Sequence, residues 1–365
     1  MSQLPKWADS FLVPLLSVLL ALVVSGLVVL AIGENPLTAV RVMITGAFGS
    51  TYNLGFTLFY FTNFVFTGLA VAVAFHAAQF NIGGEGQATF AGIGAALIGL
   101  SLGETHWLLV LPLGILVAFL FGAAWAAVPA YLQVRRGSHI VITTIMFNYI
   151  AAGLLVALLG NFLKPAGSAA PQSRTFDEGA HLPRLDEVLG WIGIEAQRME
   201  GNIMFFFALA ACAVVWLLLW RTHLGFEIRA YGHNEKAADY AGISGFRIVM
   251  LVMLLSGGLA GLMATNTVLG QQHSLVLGFV EGAGFTGIAV ALMGRSHPFG
   301  VALAALLFGA LYQGGAELAF EMPAIPSKMI VIIQALIILF VGAMENIVRI
   351  PLARIFMFVQ QSRKA

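Results

Sequence analysis

Long apolar runs, interrupted by short polar or glycine-rich stretches, dominate the pattern of the chain. Ten can be drawn, at about 11–33, 54–78, 88–103, 107–134, 139–160, 202–220, 247–270, 281–294, 298–320 and 328–344. A spanning helix needs roughly 20 apolar residues to cross about 30 Å of hydrocarbon, and most of these runs have that length. Between Val42 and Gly84 there is no Asp, Glu, Lys or Arg. A further apolar stretch at 37–50 follows Asn35-Pro36 and reads as an interfacial helix. Backbone groups in lipid must be bonded within their own segment, and the ten-residue alternation of a barrel is absent. The expected fold class is therefore all-α and polytopic, one membrane domain over 1–365 with about ten transmembrane helices.

Composition agrees with the pattern and narrows the possibilities. Of 365 residues, 59% are hydrophobic and 10% charged, against about 25% charged in a soluble domain. Mean hydropathy is +0.92. So few charges cannot clothe a water-facing surface, which excludes a soluble enzyme, a nucleic-acid binder and a disordered chain. A net charge of +1 also argues against a polyanionic partner. The single cysteine, Cys212, leaves no internal disulfide and no cysteine-based metal site. The first apolar run lacks a small-residue cleavage site and reads as a retained span, not a signal peptide.

Basic residues then orient the chain. With the N-terminus in the cytoplasm, that side holds Lys6, Arg135, Arg136, Arg221, Arg229, Lys236, Arg247, Arg295, Arg349, Arg354, Arg363 and Lys364. The other side holds Arg41, Lys164, Arg174, Arg184, Arg198 and Lys328, four of them in one loop, 161–200. Twelve against six places both termini in the cytoplasm, with 161–200 outside.

Two segments resemble each other. Glu85-Gly86, Phe90-Ala91-Gly92-Ile93 and Ala96-Leu97 match Glu281-Gly282, Phe285-Thr286-Gly287-Ile288 and Ala291-Leu292, allowing one gap. The copies open the third and eighth runs, which this orientation points in opposite directions. Such short, Gly-interrupted spans in matching places are the sequence mark of inverted-repeat transporters; in a chain so rich in Gly, Ala, Leu, Ile and Phe, chance is the alternative. The halves would be about 54–160 and 247–344.

Two polar stretches carry the candidate chemistry. Phe80-Asn81-Ile82-Gly83-Gly84-Glu85-Gly86-Gln87 places three glycines and three polar side chains in an otherwise apolar region. An unpaired Glu in hydrocarbon costs at least a few kcal/mol, so this segment must face protein or a water-filled cavity. It is either a bend lining a solute path or a tight helix contact with Glu85 hydrogen-bonded to a neighbour. The stretch 221–246 is the largest internal cytoplasmic segment. Within it, Asn234 followed by Glu235-Lys236-Ala237-Ala238-Asp239-Tyr240-Ala241 reads as an N-capped short helix closed by Gly242. It either docks into a groove on a soluble partner or is a solvated surface helix.

Five ordered blocks make a resemblance specific: Phe80 to Gln87, Val141 to Ala151, Ile228 to Ile243, Ser256 to Gly261, and Phe285 to Arg295. Over about 60–345 the chain resembles the permease subunits of bacterial ABC importers for simple sugars and nucleosides, in the branched-chain permease superfamily, most of all the longer purine-nucleoside type. The resemblance implies a type II importer permease in the bacterial inner membrane that pairs with a second, different permease around one pathway. ATPase subunits would dock on its cytoplasmic face, and an extracytoplasmic binding protein would deliver solute. Carried over by position, Arg229, Gly232, Asn234, Ala237, Ala238 and Gly242 fall in the loop that couples to the ATPase. Asn81, Gly83, Gly84, Glu85, Gln87, Asn148, Gly282 and Gly284, read from the two glycine-rich bends and the amides in or beside spans, are the candidates for a translocation pathway. The pattern usually carries a Glu where this chain has Ile140, so any role of an acid at that position is not performed by this residue.

The remaining residues read as structural. His76, His139, His223, His233 and His273 show no metal-ligand spacing. Ser256-Gly257-Gly258-Leu259-Ala260-Gly261 is a small-residue packing face. Glu281 and Glu317 lie near span edges, close enough to reach headgroups. No Gly-x-x-x-x-Gly-Lys-Ser/Thr loop exists, so no nucleotide cofactor is expected on this chain and ATP is hydrolysed by partners. A lining rich in amides, with Asn53, Asn63, Asn81, Gln87, Asn148 and Asn266 as candidates, suits an uncharged polar solute. The expected function is a nucleoside or simple-sugar permease working by alternating access; a ribose-type or branched-chain amino-acid permease is the nearest alternative. An ion-coupled carrier would need titratable groups in mid-span, and an embedded enzyme would need a converging catalytic set.

Overall fold

The structure, a computed structural model, describes residues 5, 8, 12–165, 167–168, 170–325, 331–333, 335–336, 339–340, 349–354 and 356. The expected run at 328–344 falls largely outside these residues, as do Lys6, Lys328, Arg363 and Lys364. Among the described residues the chain is helical, with two isolated antiparallel bridges, Gln172–Val276 and Arg184–Asn202, in place of a sheet. It divides into two compact units, residues 1–49 with 311–365, and residues 50–310.

In the first unit, α1 (Val13–Ala31) and α2 (Pro36–Phe48) meet at a bend of 118°. The bend follows from local chemistry. Asn35 accepts a hydrogen bond from the Leu37 N–H at 2.9 Å, and Pro36 begins α2 where a helix has no use for an N–H. Thus the stretch after Asn35-Pro36 is helical, as the sequence predicts.

The second unit begins with α3 (Thr51–His76) and α4 (Gly84–Ser101). Next come α5 (Trp107–Arg136), α6 (Ile140–Leu158, prolonged by a π turn, Leu159–Leu163) and the short α7 (Leu185–Trp191). α8 (Met204–Arg221), α9 (His223–His233) and α10 (Glu235–Tyr240) lead to α11 (Gly245–Ala264), which continues as a π-helical stretch, Thr265–Gln272. α12 (Ala283–Met293) and α13 (Pro298–Glu321) follow, α13 running on into the first unit.

Six of these helices are long and apolar enough to cross a membrane, or seven if the bent α1–α2 pair counts as one. α4 is less apolar and α12 has only 11 residues, about 16 Å of helix. A helix apolar on every side belongs in an interior. α3 obeys this, with 83% of its most apolar window buried, and α11 follows at 72%. α6 and α8 bury only 22% of theirs and turn residues such as Ile142, Met146, Phe206 and Val214 outward, as lipid-facing helices do. The small-residue face of α11 is a packing face: a Cβ on Gly257 or Gly261 would run into the backbone of Gly122 or Ala118 on α5.

The 161–200 segment folds back on the end of α11. Ser173 and Phe176 donate backbone N–H bonds to Leu275 and His273 at 2.9 and 2.8 Å, and the His181 and His273 rings stack 3.7 Å apart.

Candidate functional site

The bend between α3 and α4 is built from buried amides. α3 stops at His76, Ala78 takes a left-handed turn with φ of 55°, and an irregular stretch leads to α4, which starts at Gly84. Asn81, 1% exposed, uses its whole carboxamide. Its Nδ2 donates to Gln87 Oε1 at 2.9 Å and to Ser256 Oγ at 2.8 Å; its Oδ1 accepts from Gln87 Nε2 at 3.0 Å and from the Gly83 N–H at 2.9 Å. Ser256 passes the chain on, donating to the Ala70 carbonyl at 2.6 Å. From α6, Asn148 donates Nδ2 to the Ile82 carbonyl at 3.0 Å and accepts the Gly86 N–H at 2.8 Å. Desolvated amides are tolerable only when paired in this way.

The second glycine-rich copy meets the first. Glu85 Oε1 accepts from the Gly282 N–H and Oε2 from the Gly284 N–H, each at 3.0 Å. Gly282 has φ of 77°, which brings its own N–H and the first turn of α12 round to face α4. The first N–H groups of a helix have no partner within it, and a carboxylate satisfies both their hydrogen bonds and the positive end of the dipole. Backbones touch here: a Cβ on Gly284 would strike the Glu85 backbone, and one on Gly84 would lie 3.4 Å from Gly284 Cα. All eight residues expected along a pathway, Asn81, Gly83, Gly84, Glu85, Gln87, Asn148, Gly282 and Gly284, thus fall in one contiguous cluster. Glu281 is exposed and makes no part of it.

An open cavity of about 510 Å³ lies beside this bend, lined by Gln79, Phe80, Gln133, Ser138, His139, Ile140 and others. Gln133 Nε2 donates to Gln79 Oε1 at 2.7 Å. Two further candidates, Asn63 and Asn266, pair elsewhere: Asn266 Nδ2 donates to Asn63 Oδ1 at 2.7 Å and to the Phe59 carbonyl at 3.2 Å. Asn53 stands in the first turn of α3.

The polar segment after α8 forms two helices. α10 starts at Glu235 because Asn234 Oδ1 accepts the Ala237 N–H at 3.1 Å, and it ends before Gly242, whose φ is 82°. Ala238 is buried, while Ala237, Asn234 and Gly242 are exposed, as is Tyr240 at 95%. Tyr231 donates to Glu235 Oε1 at 2.8 Å. Burial, reinforced by that carboxylate, pushes its phenol well above the ordinary value. Gly232 is packed so tightly on the His76 carbonyl that any side chain would clash.

Sequence reasoning set the histidines aside, yet His76 is a junction. Its Nε2 lies 3.1 Å from the Ser296 carbonyl, in the turn after α12. Its ring meets Trp220, which also meets His297, with centroids 5.1 and 4.9 Å apart, and the Arg229 guanidinium lies 6.0 Å over Trp220. These residues come from three distant parts of the chain, around 76, 220–229 and 296–297, and no local spacing in the sequence could have joined them. Among the described residues, no three His, Cys, Asp or Glu side chains are placed to share a metal ion.

Residues 53–342 match the family described as branched-chain amino acid transport system / permease component. Among similar proteins, the guanosine ABC transporter permease of Bacillus subtilis is 35% identical over 341 residues, 93% of this chain and 94% of that one. The glucose ABC transporter permease of Haloferax volcanii is 33% identical, covering 93% and 89%. The nucleoside ABC transporter permease of Lactococcus lactis is 31% identical, covering 94% and 93%. A likeness of this extent, on a chain of long apolar helices with a cluster of buried amides at a broken-helix junction, makes the chain a transport permease and not an enzyme: it belongs to the permease-component family of the branched-chain amino acid transport systems.

Proposed function

We propose that this chain is the membrane-spanning permease subunit of an ATP-driven importer for a nucleoside or simple sugar. The observation that carries the reading is likeness over more than nine-tenths of the chain to permeases named for guanosine and nucleosides. The chemistry agrees: amides and hydroxyls gather beside the α3–α4 bend, and its one carboxylate, Glu85, is occupied by backbone N–H groups. That setting favours an uncharged polar solute over a phosphate or carboxylate. The glucose permease of Haloferax volcanii, 33% identical, supports a sugar as the second reading, with a ribose-type or branched-chain amino-acid solute beyond it.

In this reading the chain is one membrane domain of about ten spans. The short α4 and α12 are corresponding members of inverted halves at about 54–160 and 247–344. The cluster of Asn81, Gly83, Gly84, Glu85, Gln87, Asn148, Gly282 and Gly284 borders the translocation pathway. The segment 221–246 is cytoplasmic, and Arg229, Gly232, Asn234, Ala237, Ala238 and Gly242 couple it to the ATPases. Both termini are cytoplasmic, and 161–200 faces the binding protein across the inner membrane. A second, different permease completes the pathway. ATP is bound by the ATPase subunits, and this chain binds no cofactor.

Uptake of labelled guanosine, glucose and leucine by vesicles carrying the chain with its partner subunits tests this. ATP-dependent guanosine uptake, suppressed by excess unlabelled nucleoside, is the expected result. Solute accumulation by the chain alone, driven by an ion gradient, overturns it.

A further inference from the structure

The Glu85 carboxylate is spent in a way that a lining residue would not be. Both of its oxygens are committed, one to each of two N–H groups at the start of α12, at 3.0 Å. The backbones behind it are in direct contact at Gly84 and Gly284. The arrangement is one-sided. α4 has its own early N–H, that of Gly86, taken by Asn148 of α6, and Glu281 contributes nothing in return, being exposed. The other end of α12 is also held: His76, the last residue of α3, lies against the Ser296 carbonyl, and Gly294 packs on the backbone of Gly300 and Val301. So α12, too short to cross a membrane unaided, is gripped at both ends by the two consecutive helices α3 and α4.

We propose that Glu85 is a positioning residue that welds the N-terminus of α12 to α4, so that α3, α4 and α12 move as one rigid body through the transport cycle. Separation at this seam would leave a half-buried carboxylate and two helix N–H groups without the partners they now share, and a partly desolvated charge loses more by this than a surface group that water can serve. The seam is therefore a joint, and the movements that open the pathway take place at other contacts. Gly232 of α9 bears on the His76 carbonyl, which gives the cytoplasmic segment a direct purchase on this body.

The proposal rests on the ATP-driven permease reading, and not on which solute is carried. Hydrogen exchange of the assembled transporter, without nucleotide and again trapped with ATP and vanadate, reads the seam in the unmodified protein. The amides of 281–286 are expected to be equally protected in both states; loss of protection in either one overturns the proposal. In uptake assays, Glu85→Ala lowers the maximal rate at least about tenfold, the scale of one charge-assisted hydrogen bond. KM for solute changes less than twofold, and Glu85→Gln, which keeps one acceptor oxygen, falls between. A raised KM at an undiminished rate would show Glu85 touching solute and overturn the proposal. Should Glu85→Ala fail to insert, Glu85→Gln and the exchange measurement still decide. A transporter that carries some other solute overturns the functional reading and leaves the exchange result standing.

Discussion

At the residue scale, the junction beside α4 is a set of reciprocal amide bonds in which each group depends on the others. Asn81 and Gln87 exchange two hydrogen bonds, and Ser256 ties the pair to α3 through Ala70. Asn81→Ala leaves the Gln87 amide and the Gly83 N–H buried and unpaired, so it should destabilise the protein by about 1–3 kcal/mol, read as a fall in melting temperature in detergent. Ser256→Ala removes one donor and one acceptor together and should cost less. The two losses should fail to add, because both act on one network; strict additivity would show that the bonds are independent. The sequence revealed that Asn81, Glu85 and Gln87 needed partners, since polar groups in an apolar region must be satisfied. It could not reveal which partners, because Glu85 and Gly282 are 197 positions apart and no local pattern encodes a contact of that range.

At the scale of elements, local chemistry was legible and packing was not. Asn234 and Gly242 delimit α10 because a cap and a left-handed residue act within one turn, and Asn35-Pro36 begins α2 for the same kind of reason. α9 escaped notice, since its polar sequence carries no long apolar stripe and it is held by Trp220 and His76 from other helices. The paired glycines invite equal treatment from the sequence, but the geometry separates them. Gly284→Ala drives a methyl into the Glu85 backbone and should cost about 1–3 kcal/mol, whereas Gly84→Ala meets only ordinary contact and should stay within about 1 kcal/mol of wild type. Thermal unfolding of the two variants checks the order, and equal losses would contradict the packing. In the 161–200 segment, burial opposes the charge of Asp186, but the Arg184 guanidinium at 3.0 Å and the Met199 N–H outweigh it and hold the carboxyl below its ordinary value. A depressed acid stabilises the folded segment above its unfolded pKa, and that contribution is lost as pH falls through the lower folded value. Protease nicking of this segment should therefore rise with acidification below the carboxylate range, and Asp186→Asn should abolish that pH dependence. The effect is small, since the pair is partly exposed.

On the scale of the whole molecule, the disposition of the two large polar segments decides how the chain can be driven. α8 separates them with 18 residues, about 27 Å of helix, enough to cross the hydrocarbon once. The segment before it and the segment after it therefore belong on opposite faces, whichever face is which. In the proposed orientation the excess of Lys and Arg puts 221–246 in the cytoplasm, the side from which ATPases would act on Gly232 and the exposed turn at Asn234 and Tyr240. Replacing Gly232 and Asn234 together should accordingly abolish solute-stimulated ATP hydrolysis while the chain still inserts, because the first holds α9 to α3 and the second starts α10. The orientation itself can be read directly. With the one native thiol, Cys212, replaced, Glu195→Cys and Lys236→Cys each place a single exposed thiol in one of the two segments. A membrane-impermeant maleimide added to intact cells should label the first and reach the second only after the membrane is opened. The reverse pattern would put the α9–α10 pair outside, beyond the reach of any ATPase, and the coupling of this permease to ATP would then have to run through another surface.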